Sequence, residues 1–244
     1  MNDYPIRIRS FGVHAILVEW PDQVDTVVLN DILQYAQCLR EHFKAEPIAL
    51  VTAYNSLTLI SEREPLDLKE MESTLFALYE KRTGTPPGQK YLWRLPVCYD
   101  AEFGIDLEAV SDRLGLSTEE LITLHTKNSY TVYGIGFLPG FMYLGGLTAA
   151  LEIPRRPKPR LRVRKGAVGL AGKQTGIYPQ ESPGGWNIIG NCSVPIFDAT
   201  KETPCLISVG DQVQFYAISR SEYELHKIEG EVGIYQVEKS LLNG

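Results

Sequence analysis

The sequence predicts an α+β N-terminal domain, a small sheet with two helices, followed by a mostly-β domain built as a barrel or sandwich. Three observations carry that expectation. Through the first third of the chain, apolar residues either alternate or recur every three to four positions. The run Thr83-Gly84-Thr85-Pro86-Pro87-Gly88 then breaks every periodic pattern and marks a boundary, giving domains at 1–88 and 89–244. In the second part, short β-prone pieces follow one another between turn residues.

Ile6 and Ile8 alternate with Arg7 and Arg9, and residues 15–20 form an apolar run, so both read as strands. Val24, Val28, Ile32, Tyr35, Leu39 and Phe43 share one helical face, which Pro47 ends. Residues 48–53 and 57–60 read as a strand pair turned at Asn55-Ser56. Pro65 suits the first position of a second helix, whose apolar stripe is Leu68, Met71, Leu75 and Leu78. Past the boundary, Asp106 is placed to cap a short helix and Gly115 to end it. Ser117 and Glu120 form a capping-box pattern for the next helix, which runs to about His125. The β pieces are 130–137, 161–164, 167–171, 186–189, 206–208 and 213–218.

Composition narrows the function. The chain has 244 residues, 44% apolar and 22% charged, the balance of an ordinary globular protein. A net charge of -6 speaks against a general nucleic-acid binder. Cys38, Cys98, Cys192 and Cys205 are spaced too widely for a zinc knuckle or a disulfide framework and read as reduced thiols. No run has the length of a secretory or membrane-spanning segment, so a cytoplasmic protein without membrane contact is expected.

Several motifs fail on spacing. Gly166 to Gly172 encloses five residues where a Walker loop has four, and Gln174 stands where a magnesium-binding Ser or Thr belongs. The glycines at 134, 136 and 140 do not match a dinucleotide fingerprint. The four histidines form no metalloprotease pattern, and no nucleophile elbow exists.

One segment stands apart. Between 155 and 165, seven of eleven residues are basic, leaving 17 basic residues against 30 acidic ones elsewhere. Arg160, Arg162 and Arg164 alternate with Leu161 and Val163, so a strand here puts the arginines on one face. This is either an anion site, since guanidinium matches carboxylate and phosphate, or a charged strand edge that resists aggregation. Two glycine-proline turns flank it, Gly136-Phe137-Leu138-Pro139-Gly140-Phe141 and Ser182-Pro183-Gly184-Gly185-Trp186. Such turns either form anion-binding backbone nests or simply join strands. A further turn, residues 174–179, offers Gln174, Thr175 and Tyr178 as polar handles.

The runs HTKNSYTVYGIGFLPGFMYLGGL (125–147), IPRRPKPRLRV (153–163) and AGKQTGIYPQESPGGWNIIG (171–190) together resemble the signature of one family. It includes the B subunit of bacterial ATP-dependent 5-oxoprolinase, the KipI kinase inhibitor and proteins labelled allophanate hydrolase subunit 1. It is also similar to carboxyltransferase subdomain C and D of urea carboxylases. A weaker resemblance extends over nearly the whole chain, including GDQVQF at 210–215. The resemblance implies a cyclophilin-like barrel for the second domain and, as partners, the C and A subunits of 5-oxoprolinase. It implies ATP as cofactor, with magnesium, bound at the level of the complex, and no biotin attachment in this chain. The implied reaction opens 5-oxo-L-proline to L-glutamate; the alternative is inhibition of a sporulation histidine kinase. On this resemblance, Arg155, Arg156 and Arg160 with Gly184 and Gly185 are candidates to stabilise developing negative charge. Gln174 and Tyr178 are candidates to orient substrate, with Pro139, Gly140, Phe141 and Trp186 completing the binding surface. His125, the one histidine in the signature runs, is the general acid–base candidate.

Overall fold

Apolar alternation needs a second layer to cover it, and the first third of the chain supplies that layer as two helices. The structure, a computed structural model, describes residues 4–82 and 88–242. The run 83–87, on which the expected boundary falls, lies outside the described residues. Two compact units are distinguished, Met1–Gln89 and Lys90–Gly244.

The first unit runs β1 (Arg7–Ser10), β2 (Ala15–Glu19), α1 (Thr26–His42), β3 (Ile48–Ala53), β4 (Ser56–Ser61) and α2 (Leu68–Lys81). The strands are antiparallel in the order β1-β2-β4-β3. Ile16, Val18, Leu57 and Leu59 bury one sheet face together with Ile32, Tyr35 and Leu39 of α1. Asp25 caps α1 by accepting from the amides of Val27 and Val28, so Val24 lies ahead of the helix and is exposed. Helix α2 starts at Leu68, later than Pro65 suggests, because the Asp67 side chain accepts from the Lys69 amide and takes the cap.

A buried ion pair sits in this core. Asp31 accepts from Arg82 Nε at 2.7 Å, from Trp20 Nε1 at 2.7 Å and from the Tyr79 hydroxyl at 2.8 Å. The Arg82 guanidinium lies 3.6 Å from the Tyr79 ring centroid. Three donors on one carboxylate offset its desolvation.

The second unit contains β5 (Tyr91–Cys98), α3 (Leu107–Leu114), α4 (Thr118–Lys127), β6 (Ser129–Ile135), β7 (Met142–Gly145), β8 (Arg160–Val163), β9 (Ala167–Ala171), β10 (Gln174–Ile177), β11 (Ser182–Gly184), β12 (Asn187–Asn191), β13 (Gln212–Ile218), α5 (Arg220–Glu231) and β14 (Glu238–Leu241). Seven strands pair in the order β6-β13-β5-β12-β9-β10-β7, and β7 pairs back to β6, which closes a barrel. Closure removes the sheet edges and selects the barrel over the sandwich. β13 runs parallel to β5, and β14 pairs with the first half of β5. Leu95, Val132, Leu144, Leu170, Ile177, Val213 and Phe215 belong to the core of this unit. Asp211 pins the start of β13 by accepting from the Tyr91 amide, the Trp93 indole and the Ser208 amide.

Two of the three expected helix signals near the start of this unit appear. Gly115 ends α3 at φ +69°, and Ser117 and Glu120 complete the capping box of α4. Three expectations change. Residues 174–179 are not a turn, because 174–177 are strand β10 between β9 and β7. Residues 206–208 form no strand; Cys205 makes an isolated bridge to Phe197. Helix α5 was not anticipated, although Ser219 and Glu222 form the same capping box. Among the described residues, no helix is long and apolar enough to cross a membrane.

Replacing Arg82 by Met leaves the Asp31 carboxylate buried without its counter-charge. The expected loss is about 3–5 kcal/mol in urea unfolding of the whole chain.

Candidate functional site

Strands β8 and β11 pair with each other, outside the barrel, with Ser182 opposite Val163 and Gly184 opposite Arg160. Beneath them lies a second apolar cluster of Phe141, Val163, Tyr178, Trp186 and Ile188, with Ala167 and Ala171 of β9. Phe141 is its centre. Its ring meets Tyr143, Tyr178 and Trp186 edge to face, with centroids 5.0, 5.3 and 5.4 Å away. These contacts draw together two of the signature runs, and Val163 brings the third into the same cluster. Glycine is required at two points here. A Cβ on Gly184 would overlap the Tyr178 hydroxyl, and one on Gly140, at φ +80°, would overlap Phe197.

The arginine-rich segment is tied down by a residue that sequence reasoning gave another task. Asp106 occupies the cap position of α3 but makes no side-chain cap bond. Its buried carboxylate accepts from Arg156 Nη1 at 2.8 Å, from Arg160 Nη1 at 2.8 Å, from Arg160 Nη2 at 2.6 Å and from the Ile188 amide at 2.7 Å. Arg160 thus spends a bidentate fork on Asp106. Nothing local at Asp106 separates a cap from an arginine clamp. The available signal was the surplus of cations at 155–165, which needs a buried counter-charge.

That clamp leaves Arg155 exposed and without an ion pair among the described residues. Arg156 binds the Gly185 carbonyl through its own amide at 2.8 Å, while its buried Nε has no partner among the described residues. Burial raises the Tyr178 phenol above its ordinary value; a hydrogen bond from the Trp186 backbone and the nearby charges of Arg155 and Arg160 pull the other way. Tyr178, Trp186, Phe141, Gly184, Gly185 and the three arginines therefore form one neighbourhood, with Pro139 and Gly140 in the turn that leads into Phe141. Tyr178 also lines a cleft of about 730 Å³ with Lys165, Cys192 and Tyr223. The cleft carries both signs of charge, and Arg220 there is paired with Glu102 and Glu224.

Two expected site residues lie elsewhere. Gln174 stands at the opposite end of β10 from Tyr178, in register with Gly145 and Ala171. His125 is fully buried in the core of the unit, stacked on Phe215 at 4.7 Å. Thr175 donates its hydroxyl to the Gly169 carbonyl, so it accepts from His125 Nε2 at 2.9 Å. His125 Nδ1 then accepts from the Tyr99 hydroxyl at 2.7 Å. Burial drives the imidazole down to about 3, and both nitrogens are engaged. This environment makes His125 a neutral core residue. Cys192, also buried, has its thiol pushed up to about 12, which removes it as a nucleophile. Among the described residues, no group of three or more His, Cys, Asp or Glu is arranged to hold a metal ion.

The family model described as "Carboxyltransferase domain, subdomain C and D" matches residues 6–207. The chain belongs to this family. Within it, the B subunit of 5-oxoprolinase from Bacillus subtilis (strain 168) is 45% identical over 240 residues, covering 91% of this chain and 97% of that protein. The crystal structure of TTHA0988 matches with a TM-score of 0.72 at 36% identity, covering 85% of this chain but 40% of that longer one. The K. lactis urea amidolyase structure covers 99% of this chain and 17% of its own, with a TM-score of 0.83 at 18% identity, a likeness of fold.

Two outcomes follow from the geometry of this family member. His125 has a folded-state pKa below its unfolded value, so the unfolded chain binds the proton first. Its contribution is complete above about pH 6.5 and is lost as pH falls toward about 3. Between about pH 7.5 and about pH 4.5, the wild-type chain should lose about 2–3 kcal/mol more than a His125→Gln variant in urea titrations. Asp106→Asn, which leaves two guanidiniums facing a neutral amide, should cost about 2–4 kcal/mol in the same assay.

Proposed function

We propose that this chain is the B subunit of a 5-oxoprolinase complex that opens 5-oxo-L-proline to L-glutamate at the expense of ATP, with the site completed by the C subunit and with the A subunit as a further partner. The observation that carries the reading is the match, over nearly the full length of both chains, to a protein of that name. A regulatory, KipI-type role has no observation that favours it. In this reading the two units are separate domains divided near residue 88, the barrel is of the cyclophilin-like type, and the complex works in the cytoplasm.

The site chemistry fits a small cyclic amide bearing a carboxylate. A lactam is unreactive because its nitrogen delocalises into the carbonyl. Opening it needs charge stabilisation at the carbonyl oxygen, supplied by cations or N–H donors already in place. Arg155 supplies the unpaired guanidinium for the substrate carboxylate, and Arg156 Nε is the unused buried donor beside it. Asp106 holds Arg156 and Arg160 in position, so Arg160 acts through the clamp and not on the substrate. Tyr178, kept protonated by burial, donates a hydrogen bond. His125 takes no part in proton transfer, and Gln174 makes no substrate contact.

Residues 166–172 do not fit a nucleotide. Gly166 to Gly172, which superficially resembles a phosphate loop, is mostly the buried barrel strand β9, with its amides committed to β10 and β12. On this reading ATP and magnesium are bound at the level of the complex.

Co-expression with the A and C subunits, followed by an assay for glutamate from 5-oxoproline and ATP, tests the reading. An assembled complex that forms no glutamate overturns it. Arg155→Ala should lower kcat/KM by about 10²-fold with assembly intact, and Arg155→Lys should restore little, because an ammonium lacks the planar fork.

A further inference from the structure

Three consecutive residues where β12 begins each serve the arginine neighbourhood. The Trp186 backbone donates to the Tyr178 phenol, and the Ile188 amide donates to Asp106 at 2.7 Å. Asn187 lies between them, in register with Leu170 of β9 and only 6% exposed. Its side chain makes a link that the Asp106 clamp does not. Asn187 Nδ2 donates to the Leu170 carbonyl at 3.1 Å and to the Pro154 carbonyl at 3.0 Å. Both partners are carbonyl oxygens, which only accept, so the amide must present its nitrogen to them. One bond fastens the side chain to the barrel wall. The other reaches out to the segment that carries Arg155.

Pro154 immediately precedes Arg155, and the two torsions of Pro154 set where that residue emerges. The ring holds φ at about −65°. The bond from Asn187 holds ψ, because the carbonyl oxygen turns with it. On one side Ile153 and Gly172 exchange backbone hydrogen bonds, at 2.7 Å to the Ile153 carbonyl and 3.3 Å to the Gly172 carbonyl. On the other side the Arg156 amide donates to the Gly185 carbonyl at 2.8 Å. The chain is thus fastened at 153, 154 and 156, while Arg155 between them is exposed and without an ion pair among the described residues. Its charge still acts on the Tyr178 phenol. A fixed root removes backbone freedom that substrate binding would otherwise have to freeze.

We propose that Asn187 is a positioning residue for the reaction: through the Pro154 carbonyl, its amide sets Arg155 to meet the substrate carboxylate. The inference rests on the reading of this chain as a 5-oxoprolinase component with Arg155 as its carboxylate anchor. Asp106 and Asn187 then divide the segment between them. Asp106 holds Arg156 and Arg160 by charge, and Asn187 holds Pro154 by a neutral bond. A carboxylate at 187 would have no proton to offer either carbonyl.

The test uses the full chain assembled with the other two 5-oxoprolinase subunits and follows glutamate formed from 5-oxoproline and ATP. Asn187→Leu removes both donors at similar side-chain size. It should raise KM for 5-oxoproline about tenfold and leave kcat within about twofold. A loss of folded protein would instead lower kcat and leave KM unchanged. Pro154→Gly frees a torsion of the same link at an exposed position and should shift KM in the same way. In an Arg155→Ala background, neither substitution should change kcat/KM by more than about twofold, because the group they position is gone. Wild-type KM in both variants overturns the proposal. So does a full additive loss on top of Arg155→Ala, which makes Asn187 a structural residue only, and so do unchanged kinetics in Arg155→Ala itself. In each of those outcomes the wild-type complex still forms glutamate, and the 5-oxoprolinase reading stands. A wild-type complex that forms none overturns both. If Asn187→Leu does not fold, Pro154→Gly alone decides.

Discussion

The Asp106 carboxylate sits where α3 begins, next to the Ile188 amide of β12, and accepts from guanidiniums on both sides of the Lys158 turn. It ties the arginine-rich segment to the barrel wall. Without it, the guanidiniums of Arg156 and Arg160 would lose their buried counter-charge, and the segment would be held by neutral hydrogen bonds such as that of the Arg156 amide to the Gly185 carbonyl. With it, β8 is held beside β11 and the Phe141 cluster has a roof. The clamp also partitions the charge. Two guanidiniums share one carboxylate and leave net positive charge near Tyr178, while Arg155 is left unpaired.

The same logic runs through the other buried polar groups. Asp31 has three donors, Asp211 has three, and the imidazole of His125 has a partner on each nitrogen. A buried polar group that is fully engaged rigidifies its surroundings and has no capacity left for a ligand. Among the described residues Arg156 Nε, Ser111 Oγ and Ser193 Oγ break that pattern, and of these Arg156 Nε is the charged donor, on a residue bonded to the glycine turn at 184–185. On the proposed reading, that contrast is the physical reason for placing substrate there and not at His125. A histidine within a signature run is a natural proton carrier by composition, but burial has fixed it in the neutral form.

Much of this was legible in the chain. Local signals act through neighbouring residues, so the stripe of α1 from Val28 to Leu39, the strands at 48–53 and 167–171, and the capping box at Ser117 all appear where the pattern put them. The misreadings share a cause. Residues 174–179 contain Gly176 and Pro179, which argue for a turn, yet β7 and β9 flank the segment and make it a strand. Asp106 reads as a helix cap because its partners lie some 50 residues away. His125 reads as a catalyst because no sequence pattern announces that Tyr99, Thr175 and Phe215 will enclose it. Long-range pairing decided each case. The arginine segment was legible as exceptional, but its division into clamped and free members was not.

That division bears on how the site works. A guanidinium in water is solvated and screened, so it discriminates weakly between a substrate and its transition state. Arg155 is in that condition in the isolated chain. The Tyr178 phenol and Trp186 are buried, so the floor of the neighbourhood is dry while its cation stands in solvent. Charge stabilisation strong enough to activate an amide requires both to be dry. Covering Arg155 without a counter-ion would be costly, because its charge would lose water and gain nothing. A cover that brings a carboxylate, from the substrate itself, removes that cost. On the proposed reading, substrate and partner therefore reinforce each other: the substrate neutralises Arg155, and the partner's approach then dries a site that is already neutral.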